Sequence, residues 1–298
     1  MILIGEVMIY LKTFNLLNQR QEHDILFKKA MSIYNGAYYP FGIFPKKEFT
    51  NILFEPITIF YGGNGSGKTT ILNIISDTIK ASRRNVAKRN ELFNLYTDYC
   101  KSYYSLSHFD ECRSIKYISS DDVFDYLLDL RAINSGVNRR KEDLVKEYND
   151  YKYTSGSNLN LALEQYEELK NKVDANRMTV SKYVRTRLRN NTIIQESNGE
   201  TALDFWQREI EEDSLYIIDE PENSLSAENQ LKLKTFIEES ARFYNCQFII
   251  ATHSPFLLAL KDAKIYDLDS VPVKDKKWTE LDNVRVYNDF FKEHRDEF

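Results

Sequence analysis

The chain has 298 residues, 42% hydrophobic and 29% charged, a balance that excludes a disordered or membrane-embedded protein. No apolar run approaches the ~20 residues that span a bilayer, and Glu6 interrupts the apolar opening segment, so we expect neither a membrane segment nor a signal peptide. The net charge of −5 argues against a globally basic nucleic-acid coat but leaves room for a local basic groove.

The residue pattern in the first half of the chain predicts alternating strands and helices. The segment 52–60 ends in a buried strand, and a helix with an inward row of isoleucines and leucines follows over 67–79. A further strand is predicted over 113–119, after which Ser120 or Asp121 can cap the next helix.

The second half continues this alternation after a charged helical segment over 138–190. Beyond residue 199 a helix precedes a strand at 214–218, a helix at 226–244, a strand at 247–251 and a short helix from 255. Such a pattern predicts an α/β fold with a mostly parallel sheet, flanking helices and an inserted helical subdomain.

The segment 61–70 reads YGGNGSGKTT and contains the phosphate-loop pattern G-x-x-x-x-G-K-T between a buried strand and an apolar helix. Glycines let successive backbone N–H groups face phosphate oxygens, and the helix start adds its positive end. Lys68 supplies a positive charge for the β- and γ-phosphates, and the Thr69 hydroxyl can ligate Mg²⁺. The predicted nucleotide-binding residues here are Gly62, Gly63, Asn64, Gly65, Ser66, Gly67, Lys68, Thr69 and Thr70.

Two later strands end in polar residues suited to hydrolysis. The strand at 214–218 delivers Asp219, which can hold Mg²⁺, and Glu220, which can polarise the attacking water. The strand at 247–251 ends close to His253, which can hydrogen-bond the γ-phosphate or that water. An acid pair or a lone histidine is more often solvated, and the phosphate loop is what favours the catalytic interpretation.

Together these motifs resemble the ABC-type ATPase superfamily, in the family's order of Walker A, Walker B and switch histidine. The resemblance implies a P-loop NTPase fold, ATP and Mg²⁺ as ligands, and catalytic roles for Glu220 and His253. It divides the single domain into a first lobe over 1–119, a helical insertion over 120–196 and a second lobe over 197–298.

The segment SNGE at 197–200 is similar to the ABC signature. In that family the signature of one subunit contacts the γ-phosphate held by the other, so Ser197 and Gly199 would bind nucleotide across an ATP-dependent head-to-tail homodimer. Asn198 and Glu200 depart from the usual signature residues, and this variant resembles stand-alone "AAA family" ATPases, SMC-like or associated with repair and defence. An ordinary turn at 197–200 is the alternative interpretation.

Other family features are less well defined in this chain. Ser224, Leu225 and Ser226 stand at the D-loop position, whereas the Q-loop position around Ser120 and Asp121 lacks a glutamine. The adenine-stacking residue cannot be named from the sequence.

Three interpretations of the ATPase output are open. DNA binding is supported by two basic clusters with Tyr183 as a stacking residue, although charge runs are usually solvated. The clusters comprise Lys80, Arg83, Arg84, Lys88 and Arg89, and Arg177, Lys182, Arg185, Arg187 and Arg189.

The second interpretation is a regulatory switch that gates a separately encoded effector such as a nuclease or toxin, because no second catalytic domain is recognisable. The third, a transporter motor, is disfavoured by the atypical signature. Cys100, Cys112 and Cys246 have no metal-site spacing and predict reduced thiols in a cytoplasmic protein.

Overall fold

The computed structural model describes residues 8–29, 38–85, 89–106, 108–153, 166–187 and 198–297. The chain forms two compact units: the first comprises Met1–Phe124 and Asn198–Phe298, and the second comprises Asp125–Ser197.

The strands of the first unit are β1 (Leu11–Asn15), β2 (Asn51–Leu53), β3 (Ile57–Tyr61), β4 (Ser82–Arg83), β5 (Lys101–Tyr104), β6 (Ser114–Ser119), β7 (Ser214–Asp219), β8 (Gln247–Ala251), β9 (Lys264–Asp267) and β10 (Lys274–Asp275). The helices of the chain are α1 (Gln19–Lys29), α2 (Lys68–Thr78), α3 (Glu91–Tyr99), α4 (Ser120–Tyr153), α5 (Tyr166–Arg177), α6 (Val180–Arg187), α7 (Asn198–Glu209), α8 (Ala227–Phe243), α9 (Pro255–Leu258) and α10 (Asp282–Glu293).

A seven-stranded sheet organises the described part of the first unit in the order β10-β9-β3-β8-β7-β6-β4. Its pairings are parallel apart from that of β10 with β9. Every residue of β3, β7 and β8 is buried, as expected for central parallel strands covered on both faces. The predicted α/β fold with a mostly parallel sheet is confirmed.

A smaller antiparallel sheet, ordered β2-β1-β5, packs into the same core. Phe14 of β1 and Ile52 of β2 join Ile74 of α2 and Ile217 of β7 in one buried cluster. This packing places α2, and hence the loop that precedes it, against the centre of the parallel sheet.

Helix α4 begins with a cap that differs from the sequence-based expectation. The Ser119 hydroxyl accepts from the Asp122 N–H at 3.3 Å, and the Asp122 carboxylate accepts from the Ser119 N–H at 2.8 Å. This reciprocal arrangement is a capping box centred on Ser119. Neither Ser120 nor Asp121 is the cap, because the last residue of β6 already supplies the hydroxyl.

In the second unit, the helical segments pack around a small aromatic cluster. Leu144, Tyr148, Ala175 and Tyr183 are buried there, and the Tyr148 and Tyr183 rings meet edge to face with centroids 5.3 Å apart. The Tyr183 hydroxyl donates to Glu147 at 3.1 Å. The described part of this unit is therefore helical, with its own apolar centre.

Among the described residues, no helix is both long enough and apolar enough to span a bilayer.

Candidate functional site

The site lies at the carboxyl ends of three neighbouring strands. Ala251, the last residue of β8, pairs with Phe60 of β3 on one side and with Asp219 of β7 on the other. Neighbouring strands lie ~4.8 Å apart, so the segments that follow them emerge side by side. The glycine loop, the acid pair and the His253 turn are thereby brought together by the strand order.

The glycine loop between β3 and α2 depends on small residues. Gly65 and Gly67 have φ angles of 79° and 102°, which a side chain rarely tolerates. At Gly62 an added Cβ would lie only 2.5 Å from Ser66 Oγ. The loop thus depends on glycine at 65 and 67 for its backbone conformation and at 62 for lack of space.

Lys68 begins α2 and is 5% exposed. Its Nζ donates to the carbonyl oxygens of Gly62 at 2.8 Å and Gly63 at 3.1 Å, and lies 3.7 Å from Glu220 Oε1. The loop therefore surrounds a preorganised cation, which suits the recognition of a polyphosphate.

Asp219 is a buried acid at the end of β7. Its Oδ1 has no hydrogen-bond partner among the described residues, whereas Oδ2 accepts from the Tyr117 hydroxyl at 3.3 Å. Burial, opposed by the Thr69 hydroxyl and aided by the nearby Glu220 carboxylate, raises the pKa of Asp219 to about 6. An orphaned carboxylate oxygen beside a hydroxyl matches the hard oxygen ligands that Mg²⁺ takes. Asp219 and Thr69 therefore fit a Mg²⁺ site.

Glu220 leaves the strand immediately after Asp219. Its backbone is left-handed, with φ 49°, and its N–H donates to the Ala251 carbonyl at 2.9 Å. Because of this turn, the side chains of Asp219 and Glu220 do not point to opposite faces in the way that two successive residues of a regular strand would. Glu220 Oε1 lies 3.8 Å from His253 Nδ1, so Lys68, Glu220 and His253 form a continuous row of charged and polar groups.

A cavity of about 400 Å³ opens beside Lys68 and Glu220. Tyr39 and Ile43 line it together with the glycine loop, Thr69 and Glu220, and the Tyr39 hydroxyl donates to Thr70 Oγ1 at 3.1 Å. Its volume falls in the roughly 300–1,000 Å³ range of small-molecule sites.

Three residues of the site were missed from the sequence. Asp269, in the loop after β9, accepts from the Gly63 N–H at 2.7 Å. Tyr117 reaches Asp219 from β6, and Glu222 contacts the His253 turn. Asp269 and Tyr117 lie 206 and 102 positions from their partners in the sequence, so no local sequence pattern indicates their roles. Glu222 could have been noticed, because it is the third acidic residue of the segment DEPE at 219–222.

The signature segment is described only in part. Ser197 lies outside the described residues, as do Lys88 and Arg189 of the basic clusters. Gly199 lies in the first turn of α7, which begins at Asn198. At the D-loop position, Ser226 caps α8 by accepting from the Asn229 N–H at 3.3 Å.

The first basic cluster is largely ion-paired within the chain. Arg83 and Arg89 pair with Asp77 at 3.0 and 2.8 Å. Arg84 pairs with Glu209 at 2.7 Å. These three guanidinium groups consequently have protein partners already.

The second basic cluster is partly structural too. Arg187 pairs with Asp174 at 3.1 Å, and its guanidinium lies 3.6 Å from the centroid of the Tyr183 ring. Tyr183 is fully buried, so the expectation that it stacks on bases is wrong. The Tyr183 ring is a core residue of the second unit, packed with Leu144, Tyr148 and Ala175.

Comparison with known proteins supplies one family match. Residues 134–259 match a family model described as "AAA domain, putative AbiEii toxin, Type IV TA system". The match spans the end of β7 and the His253 turn but begins after the glycine loop. A search of the curated proteins finds no match.

Solved structures show distant likeness. The SMC head domain from Thermotoga maritima is 12% identical, with 90% of this chain and 99% of that chain covered and a TM-score of 0.37. An Smc head domain derived from Pyrococcus furiosus, with an extended coiled coil and bound to the C-terminal domain of ScpA, is 14% identical over 96% and 99%, with a TM-score of 0.38. A dimeric ATP-binding cassette in a post-hydrolysis state with ADP and Pi is 14% identical over 78% and 90%, with a TM-score of 0.33.

The mostly parallel sheet and the glycine loop give the chain a P-loop NTPase type of α/β fold, as its motifs predicted. The match over residues 134–259 adds a likeness to an AAA-domain family, in agreement with the resemblance drawn from those motifs.

Proposed function

We propose that this protein binds ATP at the glycine loop and hydrolyses it to ADP and phosphate. The observation that carries the proposal is the row formed by Lys68, Glu220 and His253, with separations of 3.7 and 3.8 Å, beside the orphaned oxygen of buried Asp219. A cation for the phosphates, a carboxylate for a water and a polar ring thus lie at one edge of the sheet.

The residues have separate tasks in this reaction. Lys68 exchanges the Gly62 and Gly63 carbonyls for phosphate oxygens, and its fixed charge stabilises charge developing on the γ-phosphoryl group. Glu220 orients a water and accepts its proton, and His253 hydrogen-bonds that water or the γ-phosphate. Mg²⁺ held by Thr69 and Asp219 would neutralise the phosphate oxygens.

The role of Glu220 is tested by Glu220→Gln in a phosphate-release assay. The change keeps the shape of the side chain but removes the base, so we expect kcat to fall by about 100-fold or more, with ATP binding retained. Glu228→Gln is the matched control, because Glu228 is an exposed residue on α8 that pairs with Lys232 on the same helix. Hydrolysis by the Glu220 variant at the wild-type rate would show that the base is another group.

The site is completed by a second copy of the chain in this proposal. Gly199 in the first turn of α7 supports it, since a helix start binds anions and the preceding Ser197 supplies a hydroxyl. Each copy then seals the γ-phosphate held by the other, and closure depends on bonds present only before hydrolysis.

For the output of the cycle, the observations favour control of a separate effector protein over direct action on DNA. Arg83, Arg84, Arg89 and Arg187 are ion-paired internally, which weakens the case for a basic groove. The toxin–antitoxin description of the matching family supports a defence setting. Pull-down with the Glu220→Gln variant plus ATP tests this: a stoichiometric partner protein supports effector control, whereas salt-dependent DNA binding without such a partner favours the DNA alternative.

A further inference from the structure

Glu222 is a buried acid that hydrolysis, as described above, does not use. It is only 6% exposed, and its Oε2 has no hydrogen-bond partner among the described residues. Its Oε1 accepts from the Thr252 hydroxyl at 2.7 Å and from the His253 N–H at 2.9 Å. The same oxygen lies 3.2 Å from His253 Nδ1. A single buried oxygen thus accepts from the backbone of the switch histidine and lies within ion-pair distance of its ring.

The imidazole needs such a contact to adopt one orientation. The His253 side chain is 50% exposed, so packing alone leaves the ring free to rotate. Its backbone is held separately, because Asn283 of α10 donates its side-chain amide to the His253 carbonyl at 2.8 Å. Glu222 is therefore well placed to orient the ring. The backbone of His253 is held by Asn283 and by the hydrogen bond from its own N–H to Glu222.

The negative charge of Glu222 favours one tautomer of the nearby ring. Glu222 Oε1 is already an acceptor from two donors, and Glu220 Oε1, the other oxygen facing Nδ1, lies 3.8 Å away. An ionised carboxylate oxygen can only accept a hydrogen bond, so its favourable partner is an Nδ1 that carries a hydrogen. In a neutral ring with Nδ1–H, Nε2 carries the free lone pair.

We propose that Glu222 is a positioning residue for hydrolysis, which holds the Nδ1–H tautomer of His253 and leaves Nε2 to meet the attacking water or the γ-phosphate. The proposal rests on the proposed ATPase function for its catalytic consequence, but the ring geometry is independent of that function. Glu222 acts through His253 and touches neither nucleotide nor water.

A purely structural role for Glu222 makes a different prediction. If the carboxylate only fastened the turn through Thr252 and the His253 N–H, the tautomer of the ring would not depend on it. Glutamine at position 222 retains an acceptor oxygen for the turn but adds an amide donor, which allows Nδ1 to become the acceptor. Glu222→Gln therefore separates the two roles with little change in shape.

The deciding experiment is ¹⁵N NMR of the nucleotide-free protein labelled at histidine, about two pH units above the ordinary histidine pKa of ~6.5. The His253 signals are assigned with His253→Ala. We expect the wild-type ring in the Nδ1–H form and a shift toward the Nε2–H form in Glu222→Gln. A wild-type ring in the Nε2–H form, or a ring unaffected by the substitution, would overturn the proposal. The wild-type spectrum decides even if the variant does not fold.

Phosphate release then gives the catalytic consequence. We expect Glu222→Gln to lower kcat by about 10- to 100-fold with KM changed less than about twofold, and Glu228→Gln to match the wild type. In a His253→Ala background the Glu222 substitution should have no further effect on kcat, because its action requires the ring. Equal losses in both backgrounds would contradict positioning. A wild-type chain that hydrolyses no ATP would refute the proposed function, while the NMR result would still decide the ring contact.

Discussion

At the scale of single residues, the site brings together ionisable side chains, and two of them, Lys68 and Asp219, are buried where the charged form is destabilised by loss of solvent. Asp219 has one orphaned oxygen, and Lys68 is 5% exposed within 3.7 Å of Glu220. Buried polar groups normally have partners, so the unmatched Asp219 oxygen at this strand end supports the proposed Mg²⁺ site. The burial that destabilises ionised Asp219 in the free protein would strengthen its attraction for a metal cation.

The cost can be measured through Asp219→Asn without Mg²⁺ or nucleotide. The pKa of Asp219 is about 6 in the folded state, compared with an ordinary value of 3.8. Between about pH 4 and pH 6 the folded state therefore keeps a proton on Asp219 that the unfolded state has lost. Stability contributed by this group therefore falls as pH rises from about 4 to about 6. At pH ~7 we expect Asn to raise the free energy of unfolding by up to about 3 kcal/mol.

Urea unfolding with a metal chelator, compared at about pH 7 and about pH 4, checks this expectation. The advantage of the asparagine variant should shrink at the lower pH, where the folded state is protonated at Asp219 and the unfolded state is about half protonated. A variant less stable than the wild type near neutral pH would mean that Asp219 is not strained in the free protein.

At the scale of elements, the glycine loop is defined by its neighbours as much as by its own sequence. Its start is held by Asp269, which accepts from the Gly63 N–H at 2.7 Å, and its end by α2, whose inward face is buried. Gly62 has space for no Cβ, because Ser66 Oγ would lie 2.5 Å away. The phosphate-facing conformation therefore depends on a tertiary contact beyond the motif.

Gly62→Ala and Gly63→Ala form a matched pair that tests this packing. At Gly63 the new Cβ would meet Asp269 at 3.7 Å, an ordinary contact, whereas at Gly62 it would overlap Ser66. Overpacking of this kind costs about 1–3 kcal/mol, so we expect Gly62→Ala to lower ATP affinity and thermal stability clearly more than Gly63→Ala. Equal effects in calorimetric titration and thermal melts would contradict a packed cradle.

Element positions followed well from the sequence where local signals were strong. The strand expected at 247–251 is β8, and the helix expected over 67–79 is α2 at Lys68–Thr78. Uninterrupted apolar runs and a motif with fixed context account for this. The Ser119 cap and the left-handed Glu220 were missed, because reciprocal side-chain bonds and a single turned residue leave no periodic trace.

Contacts between distant segments were beyond sequence reasoning. The motif residues Lys68, Asp219, Glu220 and His253 could be named since each follows a recognisable strand or loop. Tyr117 joined them only through the pairing of β6 with β7, which no single-sequence pattern specifies. Composition also could not show that arginines of the two basic clusters already have acidic partners, such as Asp77 for Arg83 and Asp174 for Arg187.

At the scale of the whole molecule, we propose that one chain supplies most of an ATP site and that a second copy supplies the rest. The glycine loop and the two strand-end acids would belong to the first set, and the start of α7 to the second. A chain that bound and hydrolysed ATP alone would need no signature segment, so assembly is the property that distinguishes the two cases.

The most direct measurement is the molar mass of the Glu220→Gln variant by light scattering after gel filtration, with bound nucleotide quantified in the same fractions. We predict twice the mass of one chain with ATP and Mg²⁺, one ATP per chain, and a single-chain mass with ADP or without nucleotide. Adding Lys68→Ala should abolish both the bound ATP and the doubling. A single-chain mass with one ATP bound per chain would contradict the account.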